Sequence, residues 1–125
     1  MLTQDAEAVL QWVAAKQGLQ HVPADGVRGV GSVRFDGSIA AGLVWYRMDG
    51  DVWVHAAVEW PSIEFFDAAR DTLLAAGETE CLFTCPPDNA PLRRLAARVG
   101  AQVLPPGDHR CSGSQWDVYL LRLKG

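Results

Sequence analysis

The sequence predicts an α/β fold: a mixed sheet, made of an antiparallel meander and a parallel central pair, with helices on both faces. Three observations predict it. Two Asp-Gly pairs, Asp36-Gly37 and Asp49-Gly50, each separate runs of strand character, and a two-residue type I′ turn needs the positive φ that such pairs tolerate. The strands so joined, residues 27–35, 38–48 and 51–59, are mostly apolar on both alternating faces, so both faces must be covered. A helical pattern then links the third strand to the run Glu80-Cys81-Leu82-Phe83-Thr84-Cys85, which makes those two strands parallel neighbours.

Taken in order, the chain opens with a helix from Thr3 or Asp5 to Lys16, with Ala8, Leu10, Trp12, Val13 and Ala15 apolar and Gly18 as its stop. Residues 19–26, with Pro23 and Asp25-Gly26, read as a loop. The Asp-Gly turns set the meander's register: Phe35 opposite Ser38, Val30 opposite Leu43, Leu43 opposite Ala56, Trp45 opposite Val54 and Tyr46 opposite Trp53. One face then carries Val30, Ile39, Leu43, Trp45, Val54, Ala56 and Val58. The other carries Val33, Phe35, Val44, Tyr46, Trp53, His55, Ala57 and Glu59. Ser62 caps a second helix with a stripe of Phe65, Phe66, Ala69, Leu73 and Ala76, ended by Gly77. After Cys85, Pro86-Pro87 forbid both ladder and helix. Asp88 or Asn89 caps a third helix with Leu92, Leu95, Ala96 and Val99 on one stripe, Arg93, Arg94 and Arg98 on the wet side, and Gly100 as its left-handed stop. A strand from Ala101, a polar loop over 109–114 and a last strand over 115–123 complete the chain.

The chain has 125 residues, 49% hydrophobic and 21% charged, which fits one globular domain spanning 1–125. Its net charge of −4 argues against a nucleic-acid-binding surface. No apolar run reaches membrane-spanning length, and three cysteines fit reduced, buried thiols, so a cytoplasmic protein without a membrane partner is expected. Cys81 and Cys85 stand about 13 Å apart along an extended strand, too far to share one metal ion, so no metal site is expected.

The element order and the junction residues resemble the GNAT superfamily of acyl-CoA N-acyltransferases. The likeness rests on the hairpin Asp36-Gly37-Ser38-Ile39-Ala40-Ala41-Gly42 and on Asn89, a short helix, then Gly100 eleven residues on. More narrowly it resembles the compact GNAT-like proteins of tailed phages and prophages. Three departures stand out. The glycine-bearing pyrophosphate loop expected between Val58 and Phe66 has no glycine and carries Glu59 and Glu64. Ala96 stands where many members have a catalytic tyrosine. Ala101 replaces the phenylalanine after the glycine.

The resemblance implies transfer of an acetyl group from acetyl-CoA to an amine acceptor. Glu59 would be the general base. Val58 and Cys85 would flank the acyl group where the strands splay, Trp60 and Ser62 would lie under the pyrophosphate, and Asn89 would contact the pantetheine or phosphate. The alternative is a non-catalytic GNAT-fold protein with a structural or interaction role in a phage or prophage. A monomer or homodimer is expected. His55, on the same face as Glu59, reads as a packed residue bonded to a carbonyl.

Overall fold

The computed structural model describes residues 1–18, 26–59 and 63–123. The elements run β1 (Leu2–Thr3), α1 (Ala6–Gln17), β2 (Arg28–Val33), β3 (Ile39–Met48), β4 (Asp51–Val58), α2 (Ile63–Ala75), β5 (Glu80–Cys85), α3 (Ala90–Arg98), β6 (Gln102–Val103), a 3-10 turn at His109–Cys111, and β7 (Asp117–Arg122). The seven strands form one sheet in the order β1-β2-β3-β4-β5-β7-β6. β4 and β5 are parallel and the other neighbouring pairs are antiparallel. The mixed α/β sheet expected from the sequence is therefore present. The 19–25 part of the loop expected after α1 lies outside the described residues.

The second hairpin has the expected register, from Met48 opposite Asp51 through Tyr46 opposite Trp53 to Leu43 opposite Ala56. Its turn residues Asp49 and Gly50 both sit at positive φ, 54° and 83°, as a type I′ turn requires. The first hairpin departs from expectation at its tip. Val30 does face Leu43, but the register shifts between Ser32 and Val33, so that Val33 faces Ile39. Phe35, Asp36 and Gly37 form a three-residue loop closed by Arg34 N–H on Ser38 O at 2.8 Å, with Gly37 left-handed at φ 87°. This is the longer hairpin solution, a type I turn followed by a left-handed glycine and a bulge. Asp36 supports it by accepting from the Ser38 backbone N–H at 2.9 Å and hydroxyl at 2.6 Å; these bonds, the hydroxyl's foremost, lower its pKa. One inserted residue flips faces. Ile39 accordingly packs with α1 and not with the Val30 face, and Phe35 is fully exposed at the tip.

α1 covers one face of the meander. Asp5 caps it, accepting from Ala8 N–H, and Gly18 ends it at φ 66°. Its buried residues are Val9 and Val13; Val13 belongs to the expected apolar set and Val9 does not. Both sit on a floor of glycines. A Cβ on Gly42 would lie 2.9 Å from Val13 Cγ2 and 3.0 Å from Val9 Cγ1, and one on Gly31 would lie 3.0 Å from Val9 Cγ2. The opposite face is covered by α2, through Phe65, Ala69 and Leu73 against Val30, Leu43, Trp45, Val54 and Cys81. α3 joins it on that face, where Ala96 and Leu92 pack on Cys85, Phe83 and Tyr119. Val99, expected on the α3 stripe, is instead its C-cap and 49% exposed, because the helix ends before that turn closes over the sheet.

Two glycine substitutions separate two kinds of constraint. Gly42→Ala should cost about 1–3 kcal/mol by overpacking, and Val13→Ala in the same chain should recover part of that loss. Gly100, at φ 79° with nothing within 4 Å of where a Cβ would stand, should lose only about 1 kcal/mol on substitution by Ala, from backbone strain alone. Urea unfolding of the three variants reads these differences; an unchanged midpoint for Gly42→Ala would contradict the close approach of α1.

Candidate functional site

The site follows from how β4 and β5 meet. Their ladder holds at Trp53 opposite Leu82, with no further pair among the described residues, so the strands part toward their C-terminal ends. The direction of the β4 backbone groups there is fixed by the other side of the strand. Glu59 N–H donates to Ala40 O at 3.0 Å, so odd-numbered residues of β4 turn their N–H and C=O toward β3. By alternation Ala56 and Val58 turn theirs toward the gap left by β5. The Ala56 carbonyl accepts from the Gln17 side-chain amide, supplied by the end of α1.

On the α3 side of this opening, Cys85 is fully buried. Its Sγ donates to Pro86 O at 3.5 Å and Asn89 O at 3.8 Å, and burial, above all, raises its pKa, so the thiol stays neutral. Asn89 caps α3 through Oδ1, which accepts from Leu92 N–H at 3.1 Å. That bond leaves its amide NH₂ without a partner among the described residues. Arg93, one turn on, donates from Nη1 to Asp117 Oδ2 at 3.2 Å and to the Tyr119 hydroxyl at 3.1 Å. The Asp117 bond is the main reason its pKa is raised. This cluster stands where the sequence suggests a plain wet face. The only available signal for it is the position of Arg93 four residues after Asn89, one turn along the same helix face.

On the α1 side stands Glu59, with its side chain 31% exposed. Arg34 from the first hairpin pairs with Oε2, while Lys16 from α1 lies 3.7 Å from Oε1, beyond hydrogen-bond length. His55 shares this face. Its Nε2 is 3.1 Å from the Tyr46 hydroxyl, with the two rings stacked, so its partner is a side-chain hydroxyl and not the carbonyl expected. Burial lowers the His55 pKa and raises that of Tyr46. Val58 ends β4 and packs on the α2 face, while Trp60 and Ser62 lie outside the described residues. The structure thus brings Val58, Cys85 and Asn89 to one side of the opening and Glu59 to the other. Among the described residues no group of three His, Cys, Asp or Glu is placed to hold a metal ion, and no helix is long and apolar enough to cross a membrane.

No family model matches the sequence, and no curated protein matches it. Solved structures do match. A GNAT-family acetyltransferase from Staphylococcus aureus Mu50 superposes with TM-score 0.69 at 11% identity, covering 99% of each chain. The chain has the GNAT fold. A Klebsiella pneumoniae protein provisionally named an acyl-CoA N-acyltransferase gives TM-score 0.71 at 10% identity over 98% of this chain and 97% of that one. The spermidine/spermine N-acetyltransferase SpeG of Vibrio cholerae gives 0.65 at 8% identity over 97% and 89%. In this fold Ala96 packs beside Tyr119 from β7.

The half-buried histidine makes stability depend on pH. Above its ordinary value of 6.5, His55 is neutral in both the folded and unfolded states. As pH falls through that value, the unfolded chain takes up a proton that the folded chain refuses, so stability declines until the lower folded-state value is reached. Relative to His55→Gln, the wild type should therefore lose stability between about pH 7 and pH 5. Urea unfolding across that range measures the difference, and parallel curves for the two proteins would contradict it.

Proposed function

We propose that this protein is an acyl-CoA-dependent N-acyltransferase, with acetyl-CoA as donor and an amine as acceptor. The observation that carries the reading is the opening between β4 and β5, reached from both faces of a sheet with the GNAT fold. On the α3 face, the free amide NH₂ of Asn89 offers a donor to the pantetheine, with Cys85 and Val58 flanking the acyl end. The Val58 N–H, directed into the gap, would hold the thioester oxygen as negative charge develops on it. Trp60 and Ser62 would lie under the pyrophosphate. On the α1 face, the amine would attack the carbonyl carbon, the CoA thiolate would leave, and Glu59 would take the amine proton. Arg34 fixes the Glu59 carboxylate through Oε2, and Oε1 keeps a lone pair for the amine or a bridging water. The cytoplasm is the proposed location, and residues 1–125 the proposed single domain. The non-catalytic alternative draws support from the glycine-free loop and from Ala96, but no observed contact favours it over acyl transfer.

Calorimetry with acetyl-CoA tests the reading. Two acids flank the pyrophosphate loop, so the expected dissociation constant is no tighter than about 0.1 mM, or about −5.5 kcal/mol. Asn89→Ala should weaken binding. Glu59→Gln should leave it intact while lowering thiol release from acetyl-CoA across a panel of primary amines. No heat at millimolar acetyl-CoA would overturn the enzyme reading.

A further inference from the structure

The α1 side of the opening holds a donor and an acceptor that do not satisfy each other. Glu59 Oε2 is taken by Arg34. Oε1 has no hydrogen-bond partner among the described residues, because the Lys16 ammonium stands 3.7 Å away, beyond hydrogen-bond length. Lys16 makes no hydrogen bond among the described residues either. Both groups are open to solvent, with side chains 49% exposed for Lys16 and 31% for Glu59. We propose that Lys16 and Glu59 together bind an α-amino acid, its carboxylate on the Lys16 ammonium and its amine on Glu59 Oε1. The proposal rests on the acyl-transfer reading above and names the acceptor by its negative group.

The two side chains are held in place from different elements. Trp12 lies one turn before Lys16 on the same face of α1, and its ring centroid is 5.5 Å from the ammonium, a cation–π distance. Gln17, the next residue, is tied to the Ala56 carbonyl of β4, which fixes the end of α1 beside the opening. Arg34 is anchored in turn by Ser38 Oγ at 3.3 Å and Ile39 O at 3.4 Å, so it holds Glu59 from the hairpin side. Lys16 is thus the cation at this site with hydrogen-bonding capacity to spend on a ligand.

The charge around the pair selects the ligand. Lys16 and Arg34 stand against Glu59 and against Asp36, which Arg34 also draws. Two cations against two acids leave the site neutral. His55 on the same face adds no charge at neutral pH, because burial lowers its pKa. A neutral site with a separated donor and acceptor matches a zwitterion. A diamine would bring a second positive charge close to Lys16, and a simple alkylamine would leave the ammonium without its bond. A carboxylate makes a charge-assisted hydrogen bond there, which an uncharged carboxamide cannot equal. An amine and a carboxylate on one carbon span the 3.7 Å gap, each meeting its own partner. In the transfer step the C–N bond forms at the thioester carbonyl carbon, the C–S bond breaks with its electron pair leaving on the CoA sulfur, and Glu59 takes the amine proton.

The test titrates the full chain with each of the common α-amino acids, without acetyl-CoA, followed by amide NMR. The best binder is then set against its own carboxamide, which keeps the amine and loses the negative charge. Saturable shifts are expected at the amides of Lys16, Gln17 and Glu59, with the carboxamide weaker by about tenfold or more. Lys16→Gln should erase that preference, and Lys16→Arg should restore it. No saturable shifts with any amino acid, equal affinity for the carboxamide, or a preference that survives in Lys16→Gln would each overturn the proposal. Thiol release from acetyl-CoA separates this proposal from the reading it rests on. Release with 1,4-diaminobutane but with no amino acid would overturn the proposal and leave acyl transfer standing. Amino-acid binding that depends on Lys16, with no thiol release, would support the binding site and overturn acyl transfer.

Discussion

One constraint organises this molecule: β4 and β5 are parallel neighbours in a sheet whose other neighbouring pairs are antiparallel. A parallel pair cannot be closed by a tight turn and needs a crossover, here supplied by α2. The two strands run in the same direction, so their C-terminal ends lie at the same end of the sheet, and the ladder's failure beyond Trp53 and Leu82 leaves an opening there. α3 starts from the end of β5 because Pro86 and Pro87 forbid continuation of the strand, and Asn89 then starts the helix beside the opening. The location of the candidate site is thus a consequence of strand direction before any side-chain chemistry enters.

The antiparallel half is held differently. Glycines at 29, 31 and 42 let Val9 and Val13 approach the backbone of β2 and β3, so α1 sits low on the sheet. That closeness places Lys16 near Glu59 and brings Gln17 to the Ala56 carbonyl. The helix that covers one face therefore also supplies polar partners at the opening, and packing and site geometry are coupled through those glycines.

What the sequence revealed, and what it hid, follows from the range of the interactions involved. Asp49-Gly50 dictates one turn type, so the whole β3–β4 register could be read from two residues. Asp36-Gly37 permits two solutions: a two-residue turn, or a three-residue loop with glycine in the left-handed position. The side-chain bonds of Asp36 to Ser38 accompany the second. Nothing in the alternation of apolar residues reveals that choice, which is why the surroundings of Ile39 and Phe35 differ from those expected. β1 was hidden for a related reason: two residues, Leu2 and Thr3, pair with Ser32 and Gly31, too few to show a period. The places of Val58, Glu59, Cys85 and Asn89 at strand ends and at a helix cap were legible, because strand ends and caps have local signatures. Their partners were not. Arg34 with Glu59, and Arg93 with Asp117 and Tyr119, join residues roughly two dozen positions apart, and charge alone does not say which arginine meets which acid.

The start of α2 shows why a shared fold leaves the chemistry open. A helix N-terminus carries partial positive charge that either an anionic ligand or an acidic side chain can use. Glu64 lies in the first turn of α2, where its carboxylate stabilises the helix through that charge. A phosphate at the same place would meet repulsion from Glu64, and a stretch without glycine lets fewer backbone N–H groups converge on it. In this chain the helix start is therefore used in part for its own stability. The proposed acyl-CoA recognition would therefore draw more of its affinity from the pantetheine and acyl end than from the pyrophosphate.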